Sequence, residues 1–404
     1  MIKIVRALHV KNWSRFVQEH PQGNVFHTPE MFQVYERAAG HTPALWAAVE
    51  DRSDGEADLA QQRIQALFLP VEITVAAGPA ALLGGPLRRL TTRAVVYGSV
   101  LCEPGAAGER ALDRLLEVYR RETDGRLLFT ELRNITSQDG LQPILDRRGF
   151  AYEDHLNFLI DLDRPLEEIM QSIGKRTRRQ IRRGLRAGDV QVEEVRDRQG
   201  LAECYELLRQ TFATAEVPLA DVTLFQAAMD ILLPREMVRF FLARVGGQPA
   251  ACSVDLLYKD RAYGWYGGTD RAFGSHVPTE LLTWHVFAWS ARNGYRLYDF
   301  GGAGKPDEEY GVRDFKAKFG GELVSYGRNV CVHAPVLLQA SRLGYSLARR
   351  LGLFGSTSSS EAEPLPGPKN GGHGDDTTGA NGGDGQPREG RPAQVAEKTE
   401  QTRR

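Results

Sequence analysis

The segment Leu297-Tyr298-Asp299-Phe300-Gly301-Gly302, followed after a polar loop by Gly311-Val312-Arg313-Asp314-Phe315-Lys316-Ala317-Lys318-Phe319-Gly320-Gly321-Glu322, decides how this chain reads. It predicts a short buried strand, an acidic loop through Asp307, Glu308 and Glu309, a basic helix and a closing Gly turn. A buried strand that stops at paired glycines brings backbone N–H groups and a loop to the mouth of a sheet. Open α/β sheets place their chemistry there. Asp299 is flanked by apolar residues on that strand, and a buried carboxylate needs a partner or a role. Phe315 and Lys316 sit just ahead of the Gly320-Gly321 turn.

Working upstream, Val238–Val245, Ala250–Leu257 and Ala262–Gly267 read as an antiparallel meander turning at Gly246-Gly247 and Lys259-Asp260. Its last strand ends at Trp265-Tyr266-Gly267-Gly268, and these aromatics are expected to line a cleft. Pro278–Arg292 follows as a helix opened by proline. Between them lies Arg271-Ala272-Phe273-Gly274-Ser275-His276. N-acetyltransferases carry an R-x-x-G-x-G/A loop at this place, where N–H groups hold the pyrophosphate of acetyl-CoA. Arg271 and Gly274 fit that pattern, whereas His276 stands where a small residue is expected.

Further upstream, Lys175-Arg176-Thr177-Arg178-Arg179-Gln180-Ile181-Arg182-Arg183-Gly184-Leu185-Arg186 contains seven basic residues and no acid. Ile173, Thr177, Ile181 and Leu185 form one helical stripe, and arginines cover the rest. Such density repels itself unless anions neutralise it. Phosphates suit it, because guanidinium groups grip them bidentately. A solvated face paired with acids elsewhere is the plainer alternative.

Residues 1–160 read as a first mixed α/β domain. Its strands are Ile2–Leu8, Ala44–Val49, Ile64–Ile73 and Leu127–Leu132, with helices at Pro29–Ala39, Glu109–Glu122 and Leu141–Arg148. Residues 161–334 read as a second domain whose last strand can return to the first. Both halves end on a long helix, a strand, a polar segment, a short helix and a Gly. Arg147-Arg148-Gly149-Phe150 thus matches Lys316-Ala317-Lys318-Phe319-Gly320, as a diverged duplication would. Residues 335–354 read as a basic amphipathic helix, packed on the body or lying on an anionic membrane surface. Residues 355–404 have almost no apolar content and are expected to be disordered.

The chain has 404 residues and a net charge of −1, so no global field points to nucleic acid or membrane. Four scattered cysteines and nine scattered histidines show no zinc spacing and no disulfide framework. No signal peptide and no membrane-spanning run is apparent, so a cytoplasmic protein, peripheral to the inner face of the membrane if 335–354 binds lipid, is expected.

Three segments together resemble the Fem family, the aminoacyltransferases that build peptidoglycan interpeptide bridges. They are the K-x-x-R-x-x-I-R run from Lys175 to Gly188, the block from Trp265 to Gly302 containing Pro278-Thr279-Glu280-Leu281-Leu282-Thr283-Trp284-His285, and Gly311 to Glu322. The resemblance implies two tandem GNAT (acyl-CoA N-acyltransferase)-like domains with mixed sheets. It implies transfer of an aminoacyl group from aminoacyl-tRNA to an amine of a lipid-linked or nucleotide-linked peptidoglycan precursor, in service of cell-wall biogenesis and cell shape. No metal or cofactor is called for, because the ester donor is already activated. Lys316 matches the family's lysine that stabilises the intermediate or substrate, with Phe315 its neighbour. Asp299, an acidic-loop residue or a substrate carboxylate would relay the proton. The remaining expected contacts are Trp265, Tyr266, Arg271, His276 and Lys305 for substrate, and Lys175, Arg178, Arg179 and Arg182 for tRNA. Family members carry an arginine shortly before the helix-opening proline, and here Arg271 and His276 are the nearest residues, slightly offset. Two other readings stay open. One is an N-acyltransferase using acyl-CoA or a carrier-bound donor on an envelope amine. The other is a non-catalytic RNA- or membrane-binding protein.

Overall fold

Pro70 sets the first departure from the sequence expectation. The apolar run 64–73 reads as one strand, but a proline has no N–H to give a ladder. In the computed structural model, which describes residues 2–50, 62–74, 92–215 and 217–340, it is two strands, Arg63–Phe68 and Val71–Thr74. They lie in different sheets. Arg63–Phe68 joins Ile2–Val5, Trp46–Glu50 and Leu101–Cys102 in a four-stranded sheet. Val71–Thr74 joins a six-stranded sheet ordered His41–Pro43, Val71–Thr74, Thr92–Tyr97, Phe129–Arg133, Arg328–Val332, Ala151–Glu153.

The third sheet has seven strands. Their order is Val190–Glu194, Val238–Val245, Gln248–Tyr258, Arg261–Thr269, Leu297–Gly302, Leu156–Asp161, Glu322–Ser325. The meander lies at its centre, as the turn signals require. Helix Pro278–Arg292 joins Arg261–Thr269 to Leu297–Gly302, which pair in parallel. In the first half, helix Ala106–Thr123 lies between Thr92–Tyr97 and Phe129–Arg133, which also pair in parallel. The two halves therefore repeat one plan.

The halves also exchange a strand. Ala151–Glu153 edges the six-stranded sheet, yet the next strand, Leu156–Asp161, inserts into the seven-stranded sheet between Leu297–Gly302 and Glu322–Ser325. Glu322–Ser325 edges that sheet, and the next strand, Arg328–Val332, crosses back between Phe129–Arg133 and Ala151–Glu153. A boundary at 160 thus falls inside a strand of the seven-stranded sheet. The largest hydrophobic cluster spans both halves. It joins Phe26, Met31, Tyr35 and Val95 to Cys204, Phe225, Phe240 and Tyr266. All four cysteines are buried and unpaired.

The basic helix is observed as Lys175–Ala187, with Ile173, Thr177 and Ile181 buried; Leu185, the last residue of the expected stripe, is exposed. The helix expected over 335–354 begins within the described residues, where Leu338 packs on Leu128, Phe129 and Val330. Its basic portion and the tail 355–404 lie outside them, as does the polar loop 51–60. Among the described residues no helix is long and apolar enough to cross a membrane.

Candidate active site

The parallel ladder of Arg261–Thr269 with Leu297–Gly302 lasts only three pairs, Arg261↔Leu297, Ala262↔Tyr298 and Tyr263↔Asp299. It ends because the register against Gln248–Tyr258 slips between Val254 and Asp255, leaving Trp265 as the extra residue of a bulge. Beneath this point the Tyr298 hydroxyl donates to Asp255 Oδ1 at 2.7 Å. Gly264 makes room for it, since a Cβ there would stand 2.6 Å from that hydroxyl. The two strands then diverge, and Leu297–Gly302 continues beside Leu156–Asp161.

Asp299 lies where they part and is 5% exposed. Its Oδ1 accepts from the Gly301 N–H at 2.8 Å and from Asn157 Nδ2 at 3.3 Å. Gly301 has φ +74°, a left-handed turn that lets its N–H fold back onto the carboxylate. Burial pushes the Asp299 carboxyl up to about 6, against the pull of those donors and of Lys316.

Helix Gly311–Ala317 carries Lys316 in its last turn, 8% exposed. Its Nζ donates to the Gly302 carbonyl at 2.7 Å and lies 5.7 Å from the Phe300 ring. Burial lowers the ammonium to about 8, and Asp299 opposes the shift. Near neutrality the pair is a cation and a carboxylate set apart from water. Phe315 packs against Phe300 and Phe319 and so walls this site.

The backbone N–H groups expected at the strand end are not free. Gly301 N–H serves Asp299, and Ala303 N–H donates to the Leu156 carbonyl at 2.6 Å. The exchanged strand takes the Ala303 N–H and Asp299 takes that of Gly301, whereas Lys316 Nζ is a cationic donor placed at this point.

The other sequence candidates are spread more widely. Trp265 is half-buried and Tyr266 is buried, both packed on Phe225 in the shared core. Lys305 pairs with Glu153 at 3.2 Å. Arg271 is exposed on the 3₁₀ turn Arg271–His276, and His276 faces Asp189 at 3.7 Å. That loop spends N–H groups internally, from Ala272 to Asp270 Oδ1 and from Val277 to the Gly274 carbonyl. Lys175 and Arg179 are exposed; Arg178 and Arg182 make contacts within the protein.

Two residues missed in the sequence complete the site. Asn157 is a buried polar residue set among apolar neighbours in strand Leu156–Asp161, a signal available beforehand. Arg313 donates to the carbonyls of Lys305 at 2.8 Å, Pro306 at 3.0 Å and Glu308, and so clasps the acidic loop. Among the described residues no group of His, Cys, Asp and Glu is arranged to hold a metal.

Residues 171–316 match the model of the acetyltransferase (GNAT) domain. Comparison with curated protein sequences finds no match. Among solved structures, FemX superposes with a TM-score of 0.60 at 16% identity, covering 85% of this chain and 99% of that one. A tandem GNAT protein from the clavulanic acid biosynthesis pathway gives 0.51 at 12% identity, over 83% and 99%. The C-terminal domain of a putative lysylphosphatidylglycerol synthetase from Agrobacterium fabrum gives 0.50 at 12%, over 84% and 96%. Two repeated mixed sheets, the GNAT match over the second half and the FemX-like arrangement of both halves show that this chain has the tandem GNAT acyltransferase fold in its Fem-like form.

Proposed function

We propose that this chain is an N-acyltransferase that moves an aminoacyl group from aminoacyl-tRNA to an amine of a peptidoglycan precursor. The observation that carries the reading is that two buried charged groups meet adjacent residues where the two parallel strands part: Lys316 Nζ the Gly302 carbonyl, and the Asp299 carboxylate the Gly301 N–H. An aminoacyl ester needs no further activation. The acceptor nitrogen attacks the ester carbonyl, and a C–N bond forms as the carbonyl π pair moves onto oxygen. Lys316 donates a hydrogen bond to that oxyanion. The nitrogen's proton passes to the Asp299 carboxylate, which is ionised above about 6. Collapse breaks the ester C–O bond, and the leaving ribose oxygen takes up a proton. FemX, the structural neighbour of highest similarity among those compared above, and the density of arginine on Lys175–Ala187 support a polyanionic donor.

A second reading, acyl transfer from CoA, draws on the acetyltransferase (GNAT) match and on exposed Arg271 beside the helix opened by Pro278. One assay separates the two. Radiolabelled mixed aminoacyl-tRNA or acetyl-CoA is offered with a pooled amine acceptor extract, with wild type and with Lys316→Ala. Lys316-dependent label from tRNA supports the first reading. Label from CoA alone replaces it with the second, and no transfer from either donor removes the catalytic reading.

A further inference from the structure

The seven basic residues of Lys175–Ala187 do not act as one face. Arg178 turns back on its own helix start, where its Nη1 donates to the carbonyls of Gln171 at 2.5 Å and Ile173 at 3.4 Å. Arg182 pairs with Glu167 at 2.5 Å. These two are structural ties. Arg183 and Arg186 lie exposed at the far end.

The helix start is different. A cavity of about 440 Å³ opens there, and Lys175, Arg176 and Lys318 bring three cations to its wall. Glu280, in the first turn of Pro278–Arg292, and Gln180 complete the lining. Gly174 caps the helix without a side chain, so the first N–H groups of a 13-residue helix face this end. Thr177 is the decisive residue. It is 4% exposed and lines the cavity. The carbonyl four residues back, of Ile173, lies outside the helix and accepts from Arg178 at 3.4 Å. A short hydroxyl at the wall of the cavity can donate to an anionic occupant. The cavity is also tied to the active site, because the Lys318 carbonyl accepts from Gly174 N–H at 2.9 Å, two residues beyond Lys316.

We infer that this cavity binds one phosphate of the acyl donor, held by Thr177, the helix N–H groups, Lys175, Arg176 and Lys318. Glu280 and Gln180 receive a hydroxyl of the attached sugar. The ligand class is a ribose phosphate ester, which the end of an RNA strand and CoA both present. The inference rests on the acyl-donor reading above and narrows it to a place.

The test is equilibrium binding by the full chain, without acceptor, to three probes: a short RNA duplex with a single-stranded 3′ end, CoA and inorganic pyrophosphate. Lys175→Gln with Arg176→Gln should weaken the bound ester about tenfold or more, since hydrogen bonds to charged groups are strong. Thr177→Val should weaken it roughly fivefold with an unchanged melting temperature, and Thr177→Ser should restore it. Arg183→Gln with Arg186→Gln should matter less than about twofold at moderate salt. Binding of RNA alone, or of CoA alone, names the source and supports the site. Equal losses in the pocket and distal variants would show diffuse attraction and overturn it. So would binding indifferent to Thr177→Val, binding of pyrophosphate but of neither ester, or no binding at all. Turnover with unaffected pocket variants sinks the site and spares the function. Pocket-dependent binding by a protein that transfers nothing does the reverse.

Discussion

The two halves share a plan and differ in what they bury at the same point of it. Each has a parallel strand pair, a crossover helix, a loop and a short helix. In the second half the short helix delivers Lys316 into the interior, beside Asp299. In the first half the matching helix, Gln142–Arg147, ends on cations paired with an acid: exposed Arg147 and half-buried Arg148, the residue after the helix, grip Asp113 at 2.9 and 2.6 Å. The parallel ladder there runs four pairs, Ala94↔Thr130 to Tyr97↔Arg133, and Arg133 lies over the Tyr97 ring. One half satisfies its charges and closes. The other holds them dehydrated at a gap. The difference teaches that the site is made by where a basic residue is pointed, not by the fold that carries it.

The largest expected effect breaks the comparison outright. Lys316→Ala should lower single-turnover transfer by about 10²–10³-fold, the usual cost of losing an oxyanion donor. Arg148→Ala should leave it unchanged. Equal effects would mean that neither cation meets the reacting atoms. Next is pH. With Asp299 needed as carboxylate and Lys316 as ammonium, kcat/KM should rise through about 6 and fall through about 8. Asp299→Asn should lower the rate and remove the acidic limb, and a limb that persists would assign it to the substrate. Arg313→Ala releases the acidic loop from its clasp, so KM should rise roughly fivefold while kcat holds. A changed kcat with constant KM would place Arg313 in the chemistry instead.

The smallest effect is one of sign. Asp113 is held below the usual carboxylate range, first by its hydrogen bond from Arg148. It contributes stability above its unfolded pKa, and that stability is lost as pH falls through the folded value. Asp299 is raised by burial, so the folded chain holds that proton more tightly and stability declines as pH rises from 3.8 toward about 6. In urea titrations near neutrality, Asp113→Asn should therefore cost up to about 1 kcal/mol. Asp299→Asn should be neutral or stabilising. Two losses of similar size would contradict the dehydrated state of Asp299.

Much of this was legible beforehand. Glycine pairs and alternation placed the meander, Pro278 placed the crossover helix to the residue, and an aspartate between apolar neighbours marked Asp299. What escaped is non-local. Strand Thr92–Tyr97 follows a Gly-rich stretch with no strand period leading into it. Tyr266 looked like a cleft residue because an aromatic beside glycines does, yet Phe225, some forty residues upstream, buries it. The split between Arg178, which bonds the Gln171 carbonyl of the preceding helix Leu166–Ser172, and Lys175, which stays exposed, is set by how the two helices meet. Charge density along the chain carries no such contact. Arg313 was within the quoted motif, but its three carbonyl partners are a loop conformation rather than a pattern.

The exchanged strands bear on how this chain is made. When the ribosome has released the chain through Glu153, Phe129–Arg133 and Ala151–Glu153 have no common neighbour, because Arg328–Val332 is not yet synthesised. The first half therefore waits, with two open edges, for a strand nearly 180 residues away in sequence. Domain-by-domain folding during synthesis is closed to such a chain. Its long sequence separations favour slow, late completion, and any truncation before Val332 leaves an unpaired edge in the half that had already emerged.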